Sequence, residues 1–442
     1  MPAPCGDGSN MHSGGTVLPM SAVDSNTSHS RRRISSIQGL RGIAALLVVI
    51  AHSVDSAQTF GPQFLQERGH LANFGAVGVD LFFVISGFVM AYSVAGGKDG
   101  VREASFFLVN RWIRVAPPYL VVSLVLLLLA GLAQAAVLPR KVLFALLFVP
   151  WIPAQHAPPT GSVLNLLLFV PWADTASFSE PPLPVGWTLS FEFTFYLMVA
   201  AMVALGQRRR IGWLAVGLVI VVVVGRIVPL NGFLWSWFTN PILLEFAMGI
   251  AAYSVWRTGA LDRARWLGLS VGAVGAAALV LTAIFGYGQI SEAGFVLDGS
   301  LSMQRALVWG LPCAAVFVGV ISVRQRRSTL LSRATAGLGD ASYSVYLVHI
   351  PVLAAVVALV QALHPTAPPA LVLLLCVPAG VAGGFVMHRV LERPLTRRLQ
   401  VLVRGLRAPS GPTRRDRRSA VVLAERAPAV TPQRAEELEP TS

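Results

Sequence analysis

Charge is what this chain lacks most. Of its 442 residues only 13% are Asp, Glu, Lys or Arg, about half the share in an ordinary soluble domain. Hydrophobic residues make up 54%. That shortage, together with long apolar runs, excludes a soluble enzyme, a disordered chain and a fibrous one, and leaves a polytopic membrane protein. Cysteine is nearly missing too: Cys5 lies in a polar N-terminus, and Cys313 and Cys376 lie in apolar stretches. No CxxC or metal-ligand spacing exists, so buried thiols are expected and no metal cofactor. Acidic residues are scarce, 21 against 35 Lys and Arg, for a net charge of +14. In a soluble protein that balance suggests nucleic acid. In a membrane protein it places basic residues on the cytoplasmic side, so no nucleic-acid partner is expected.

A spanning helix needs about 20 mostly apolar residues. Ten candidate spans follow: 39–57, 72–94, 115–136, 184–206, 211–230, 239–256, 266–287, 304–323, 336–360 and 369–391. The runs are continuous rather than alternating, which favours helices over a barrel. The expected fold is therefore all-α, a polytopic integral membrane protein of about ten transmembrane helices. An even count puts both termini on one side. With the termini cytoplasmic, the inner segments hold Arg31 to Arg33, Lys98, Arg102, Arg111, Arg114, Arg208 to Arg210, Arg257, Arg263, Arg265, Arg324, Arg326, Arg327 and Arg333. From Arg389 onward there are 12 more arginines. The outer loops hold only Arg68, Arg140 and Lys141, with Arg305 at an outer helix end. That asymmetry supports the orientation and a multi-pass protein of the cell (inner or plasma) membrane.

Three parts are expected. Residues 1–34 lack the apolar core of a signal peptide and read as a disordered cytoplasmic leader. Residues 35–395 form the transmembrane domain. Residues 396–442 begin with Leu399, Leu402 and Leu406 among arginines, a basic amphipathic helix suited to an anionic inner leaflet, then turn disordered. The outer stretch 137–183 holds Leu-Leu-Phe-Val-Pro-Trp twice, at 146–151 and 167–172. Re-entrant elements and a coincidental repeat both fit it.

Charged side chains at membrane depth cost at least ~2.5 kcal/mol on insertion scales, so each needs a reason. Arg41 and His52 lie eleven residues apart in the first span. That is almost three turns, so they share one face with an axial separation of about 16.5 Å. Asp80 opens the second span at the depth of His52. It could orient that imidazole, as could Asp55 three residues after His52; a solvated helix end is the plain reading of either. Thr188, Glu192 and Tyr196 repeat at i, i+4, i+8, with Trp187 at the outer interface. Ser342, Tyr346 and His349 repeat at i, i+4, i+7, a polar stripe that lines a cavity or hydrogen-bonds neighbouring helices. Arg111 and Arg114 form a double cation suited to phosphates, or ordinary positive anchoring. Gly78, Ser86 and Gly87 are expected to permit close helix packing.

Together these residues suggest a pore with guanidinium groups at its inner mouth and imidazole and carboxylates in its outer half. A donor with a phosphorylated head and a thin reactive arm of ~15–20 Å matches that spacing, and coenzyme A has this shape.

The sequence resembles the membrane-bound acyltransferase family 3. The hallmark Arg-x10-His is matched by Arg41 and His52, the Ser-Gly-Phe segment by Gly78 to Phe88, and Arg-x-x-Arg by Arg111 and Arg114. Trp-Thr-Leu-x-x-Glu is matched by Trp187 to Glu192, Ser-Tyr-Ser-x-Tyr-Leu-x-His-x-Pro by Ser342 to Pro351, and the closing Glu-Arg-Pro by Glu392 to Pro394. Residues 37–42, 185–189 and 240–246 are most similar to exopolysaccharide O-acetyltransferases of the rhizobial succinoglycan type. The resemblance implies transfer of an acyl group, commonly acetyl, from acyl-CoA (acetyl-CoA) to a carbohydrate hydroxyl of an exopolysaccharide or its lipid-linked precursor, with association with polysaccharide assembly proteins. His52 would be the general base, with Asp80 or Asp55 orienting it and Glu192 assisting proton transfer or holding the acceptor. Arg41, Arg111 and Arg114 would hold coenzyme A phosphates. Trp187, Tyr196, Ser342, Tyr346 and His349 would line the substrate path. A macrolide, a lipid or a cell-wall glycan is an alternative acceptor. A proton-coupled transporter using His52, Asp80 and Glu192 is the rival of another class.

Overall fold

In a computed structural model, the structure describes residues 20–61, 74–133, 183, 185–228, 230, 232–286, 288–291, 293–323 and 330–407. The repeated segments at 146–151 and 167–172 lie outside them. The main helices are α1 (Met20–Gln58), α2 (Val77–Val94), α3 (Val101–Ala133), α4 (Gly186–Ala204), α5 (Gly212–Ile227), α6 (Leu243–Arg257), α7 (Arg265–Phe285), α8 (Leu311–Ser322), α9 (Leu330–Leu363), α10 (Pro369–Met387) and α11 (Arg393–Arg407). No strand occurs among the described residues. The chain is an all-helical polytopic membrane protein.

Eight described segments are long and apolar enough to cross a bilayer: 36–58, 77–94, 186–204, 235–257, 265–285, 302–322, 334–363 and 369–403. They match eight of the ten expected spans. The remaining two expectations also fall on helices. The 211–230 span is α5, which has only 16 residues, and 115–136 is carried by α3 as far as Ala133. Exposed apolar side chains such as Val274, Val280, Ile284 and Phe285 on α7 have no place in water and a natural one in lipid.

The helices to Leu395 make one compact unit, and Thr396 begins a second, described as far as residue 407. Within the first, α1 packs mainly on α9, α9 on α10, α7 on α8 and α2 on α6. Small residues allow these approaches. A Cβ on Gly78 would overlap the Ala44 carbonyl of α1. One on Gly87 would overlap the Phe246 carbonyl of α6, and one on Gly249 the Val84 carbonyl of α2. Backbones touch there, as expected of small residues at membrane helix crossings. Ser86, expected to do the same, instead points a hydroxyl at Glu192.

The core beside the crossings is aromatic. Phe83 meets Trp187, Phe191 and Phe246, with ring centroids 6.3, 6.5 and 4.8 Å away. Phe191 stacks on Trp237 at 3.8 Å, and the Trp237 indole donates to Thr194 at 3.1 Å, which satisfies its buried N–H. Two π-helical turns interrupt the α pattern, Ala306–Gly310 before α8 and His388–Glu392 after α10. In the second, Glu392 accepts from Ser344 of α9 at 2.5 Å and pairs with His388 at 2.8 Å. The closing Glu-Arg-Pro motif thus clamps α9.

Candidate active site

A cavity of about 100 Å³ lies among α1, α2, α3, α4 and α9. At about 10–15 Å³ of such space per water, it holds several waters or one thin chain. Arg41 comes from α1, Arg111 and Arg114 from α3, Glu192 and Tyr196 from α4, and Tyr346 from α9. Six expected site residues therefore converge on one chamber. A further wall follows α2 from Val79 to Met90 and is apolar except for Ser86, about 16 Å at 1.5 Å per residue. Thr188, Glu192 and Tyr196, spaced i, i+4, i+8 on α4, all line the space.

The three guanidinium groups are held differently. Arg41 donates to Gln38 at 3.3 Å, one turn earlier on α1. Arg111 lies 5.4 Å from the Phe107 ring centre, a cation–π distance. Beside Arg114, the Val115 carbonyl accepts the Tyr343 hydroxyl of α9 at 2.5 Å, which ties α3 to α9. Glu192 Oε1 accepts from Ser86 of α2 at 3.2 Å and from the Tyr196 hydroxyl. A carboxylate among three arginines leaves the chamber with a surplus of positive charge, which suits an anionic ligand.

His52 and His349 do not line this chamber. They meet each other instead, with ring centroids 5.0 Å apart and planes at 77°. His52 Nδ1 bonds the Val48 carbonyl at 3.1 Å, and His349 Nδ1 bonds the Val345 carbonyl at 3.2 Å. A carbonyl only accepts, so each Nδ1 carries hydrogen, which leaves Nε2 as the nitrogen with the lone pair in a neutral ring. His349 Nε2 is buried and finds no partner among the described residues. Between this pair and the chamber stands Tyr346, 6.0 Å from His349 by ring centroids and 5.8 Å from Phe82.

Asp80 departs from expectation. Its carboxylate is fully buried and takes two bonds of 2.9 Å from Arg305, through Nε and one Nη. Arg305 also donates to the Ile290 and Ala76 carbonyls at 3.0 and 3.2 Å. Trp187 and Trp309 flank the guanidinium at 5.9 and 5.3 Å. Asp80 is thus spent on Arg305, not on His52, because a desolvated carboxylate requires a cation and a planar fork meets both its oxygens. Glu245 of α6 is buried beside the same pair. Asp55, one turn past His52, is exposed. Trp187 packs between this ion pair and Phe83 rather than on the chamber. Ser342 is buried away from it, and its hydroxyl has no partner among the described residues.

Sequence reasoning missed Arg305 and Glu245 as site-building residues. The available signal was an arginine inside the apolar run 302–322 and an acid inside Asn240 to Phe246. Asn240 is structural: it donates to the Val296 carbonyl at 2.7 Å and accepts from the Ile242 amide at 3.0 Å.

Fold and chamber define an integral membrane protein built around a cationic, half-apolar cavity beside a buried histidine pair. The acyltransferase domain model of acyltransferase family 3 matches residues 34–389, and the chain belongs to that family: it is a multi-pass membrane acyltransferase. It is 30% identical over 336 residues to exopolysaccharide production protein ExoZ of Rhizobium meliloti (strain 1021), covering 75% of this chain and 93% of that one. It is 28% identical over 397 residues to acyltransferase MdmB of Streptomyces mycarofaciens, covering 83% and 92%. A shorter similarity, 39% over 90 residues, links it to protein 2 in the picA locus of Rhizobium radiobacter, covering 20% of this chain and 40% of that one. No solved structure matches the chain at a significant level.

Proposed function

We propose that this enzyme moves a short acyl group, acetyl by preference, from acyl-CoA bound at the cytoplasmic face to a hydroxyl of an exopolysaccharide or its lipid-linked precursor. The observation that carries the donor side is the chamber itself. Three guanidinium groups share one narrow space with an apolar wall of about 16 Å. Phosphates suit the guanidinium groups, and a pantetheine arm suits the wall. The printed role of the Rhizobium relative in exopolysaccharide production supports a carbohydrate acceptor.

In the proposed reaction His52 Nε2 takes the proton of the acceptor hydroxyl as its oxygen attacks the thioester carbonyl. The carbon–sulfur bond breaks. The leaving thiolate takes the proton back from the imidazolium, giving free CoA and an ester. Asp55 is the acid nearest His52 in sequence on α1. Glu192, fixed by Ser86 and Tyr196, faces the donor head and sets the chamber's charge rather than acting on the hydroxyl.

The test uses purified protein in lipid vesicles, labelled acetyl-CoA and the producer's polysaccharide. Wild-type protein should transfer label. His52→Ala should lose at least about 100-fold, the lower end of a general base's contribution, while CoA still protects it against thermal unfolding. Full transfer by His52→Ala removes His52 from the mechanism. Absence of CoA-dependent transfer by the wild type, with solute flux driven by a proton gradient, replaces the enzyme with the transporter.

A further inference from the structure

We infer that Tyr346, latched to Thr188 and backed by Phe82, is a partition between the donor chamber and the histidine pair, positioned to hold water and acceptor away from the thioester until the acceptor engages. The inference rests on the donor reading above.

Four observations carry it. First, Phe82, Thr188 and Tyr346 line the chamber, while His52 and His349 do not. Second, the rings form a file: Phe82 to Tyr346 at 5.8 Å, Tyr346 to His349 at 6.0 Å, His349 to His52 at 5.0 Å. Third, the latch has a defined direction. The Thr188 hydroxyl donates to the Val185 carbonyl at 2.9 Å. With that bond made, its oxygen accepts the Tyr346 hydroxyl at 2.8 Å, and the same hydroxyl lies 3.4 Å from the Val185 carbonyl. Both side chains are buried, at 6% and 5% exposure, so the bond is shielded from competing water. Fourth, His349 Nε2 is buried with no partner among the described residues. A lone pair left dry is costly, and a hydroxyl entering from the far side would relieve it.

The chemistry gives the partition a purpose. A thioester beside an open base hydrolyses: water adds at the carbonyl, the carbon–sulfur bond breaks, and CoA thiol and free acid leave. An acyltransferase loses one donor each time. The phenol hydroxyl is fastened to Thr188 at 2.8 Å and also reaches the Val185 carbonyl at 3.4 Å, and loosening these bonds is what opens the door. Tyr346 also shares α9 with His349, three residues on, so acceptor binding at His349 and release at Tyr346 are mechanically joined.

The experiment measures acyl-CoA hydrolysis without acceptor and transfer with acceptor, on the full-length protein in vesicles. Tyr346→Phe keeps the ring and removes the latch proton. Thr188→Val keeps the shape and removes the latch oxygen. Each should raise the ratio of hydrolysis to transfer about five-fold, the effect of one neutral hydrogen bond, and Phe82→Ala should raise it further. Thermal protection by CoA verifies folding of every variant. An unchanged ratio in both latch variants overturns the partition. So does a fall in kcat for Tyr346→Phe alone with the ratio constant, which would make the phenol a donor to the reacting carbonyl. If the wild type neither transfers nor hydrolyses acyl-CoA, the donor reading fails instead.

Discussion

At the residue scale the buried arginines divide by task. Arg111 and Arg114 sit on one face of α3, three residues apart, and line the cavity with Arg41. Replacing Arg111 or Arg114 by alanine should raise KM for acyl-CoA about ten-fold or more, as for a lost charge-assisted hydrogen bond, with a smaller change in kcat. Equal falls in kcat and kcat/KM would place them at the reacting atoms instead. Arg305 has a different task. Arg305→Met leaves Asp80 buried without its cation and should cost about 3–5 kcal/mol. The double replacement Asp80→Leu with Arg305→Met should recover most of that. Unfolding of the detergent-solubilised protein checks both, and a single-variant cost below about 1 kcal/mol would show the pair to be solvated. These residues also show what a sequence discloses. Arg41, Glu192, Tyr196 and Tyr346 announced themselves as polar groups in apolar helices, and they do converge. The partner of Asp80 lies 225 residues away; nothing in local spacing encodes that pairing, whereas Asp55 and His52 stood close in the chain and invited a match. The meeting of His52 with His349 was hidden for the same reason, since periodicity gives a residue its face but not the helix opposite.

At the element scale the helices were legible and their mates were not. Hydropathy gave the spans because each must satisfy its own backbone in lipid. Which helices touch is decided by small residues, and there the sequence helped in part. Gly78 and Gly87 were recognisable as contact points, but Gly249 on α6 completes the α2 crossing and was not singled out. A methyl group on Gly87 or Gly249 meets a facing carbonyl, a backbone atom that cannot swing aside. Gly249→Ala should therefore destabilise by about 1–3 kcal/mol, as overpacking does, and lower activity through displaced α2 residues on the chamber wall. Gly96→Ala is the control, because nothing lies within 4 Å of its added carbon. Similar losses at both positions would rule out the facing carbonyl as the cause, since Gly→Ala without a clash is neutral or stabilising.

At the scale of the whole molecule, the asymmetry of Lys and Arg makes a prediction of sidedness. A fluorescent protein fused after Ser442 should fluoresce and an alkaline phosphatase fused there should be inactive; the reverse pattern would invert the topology and move the donor chamber to the opposite face. The π turn at Ala306–Gly310 constrains the length of the chain at that point. A π turn holds one residue more than the α turn it replaces. Arg305 lies immediately before it and α8 immediately after. Deleting one residue there would let the helix close regularly and would turn Arg305 about 100° relative to α8, away from Asp80. The segment should therefore accept substitutions more readily than changes of length, and a one-residue deletion there should cost more stability than any single substitution at 307 or 308.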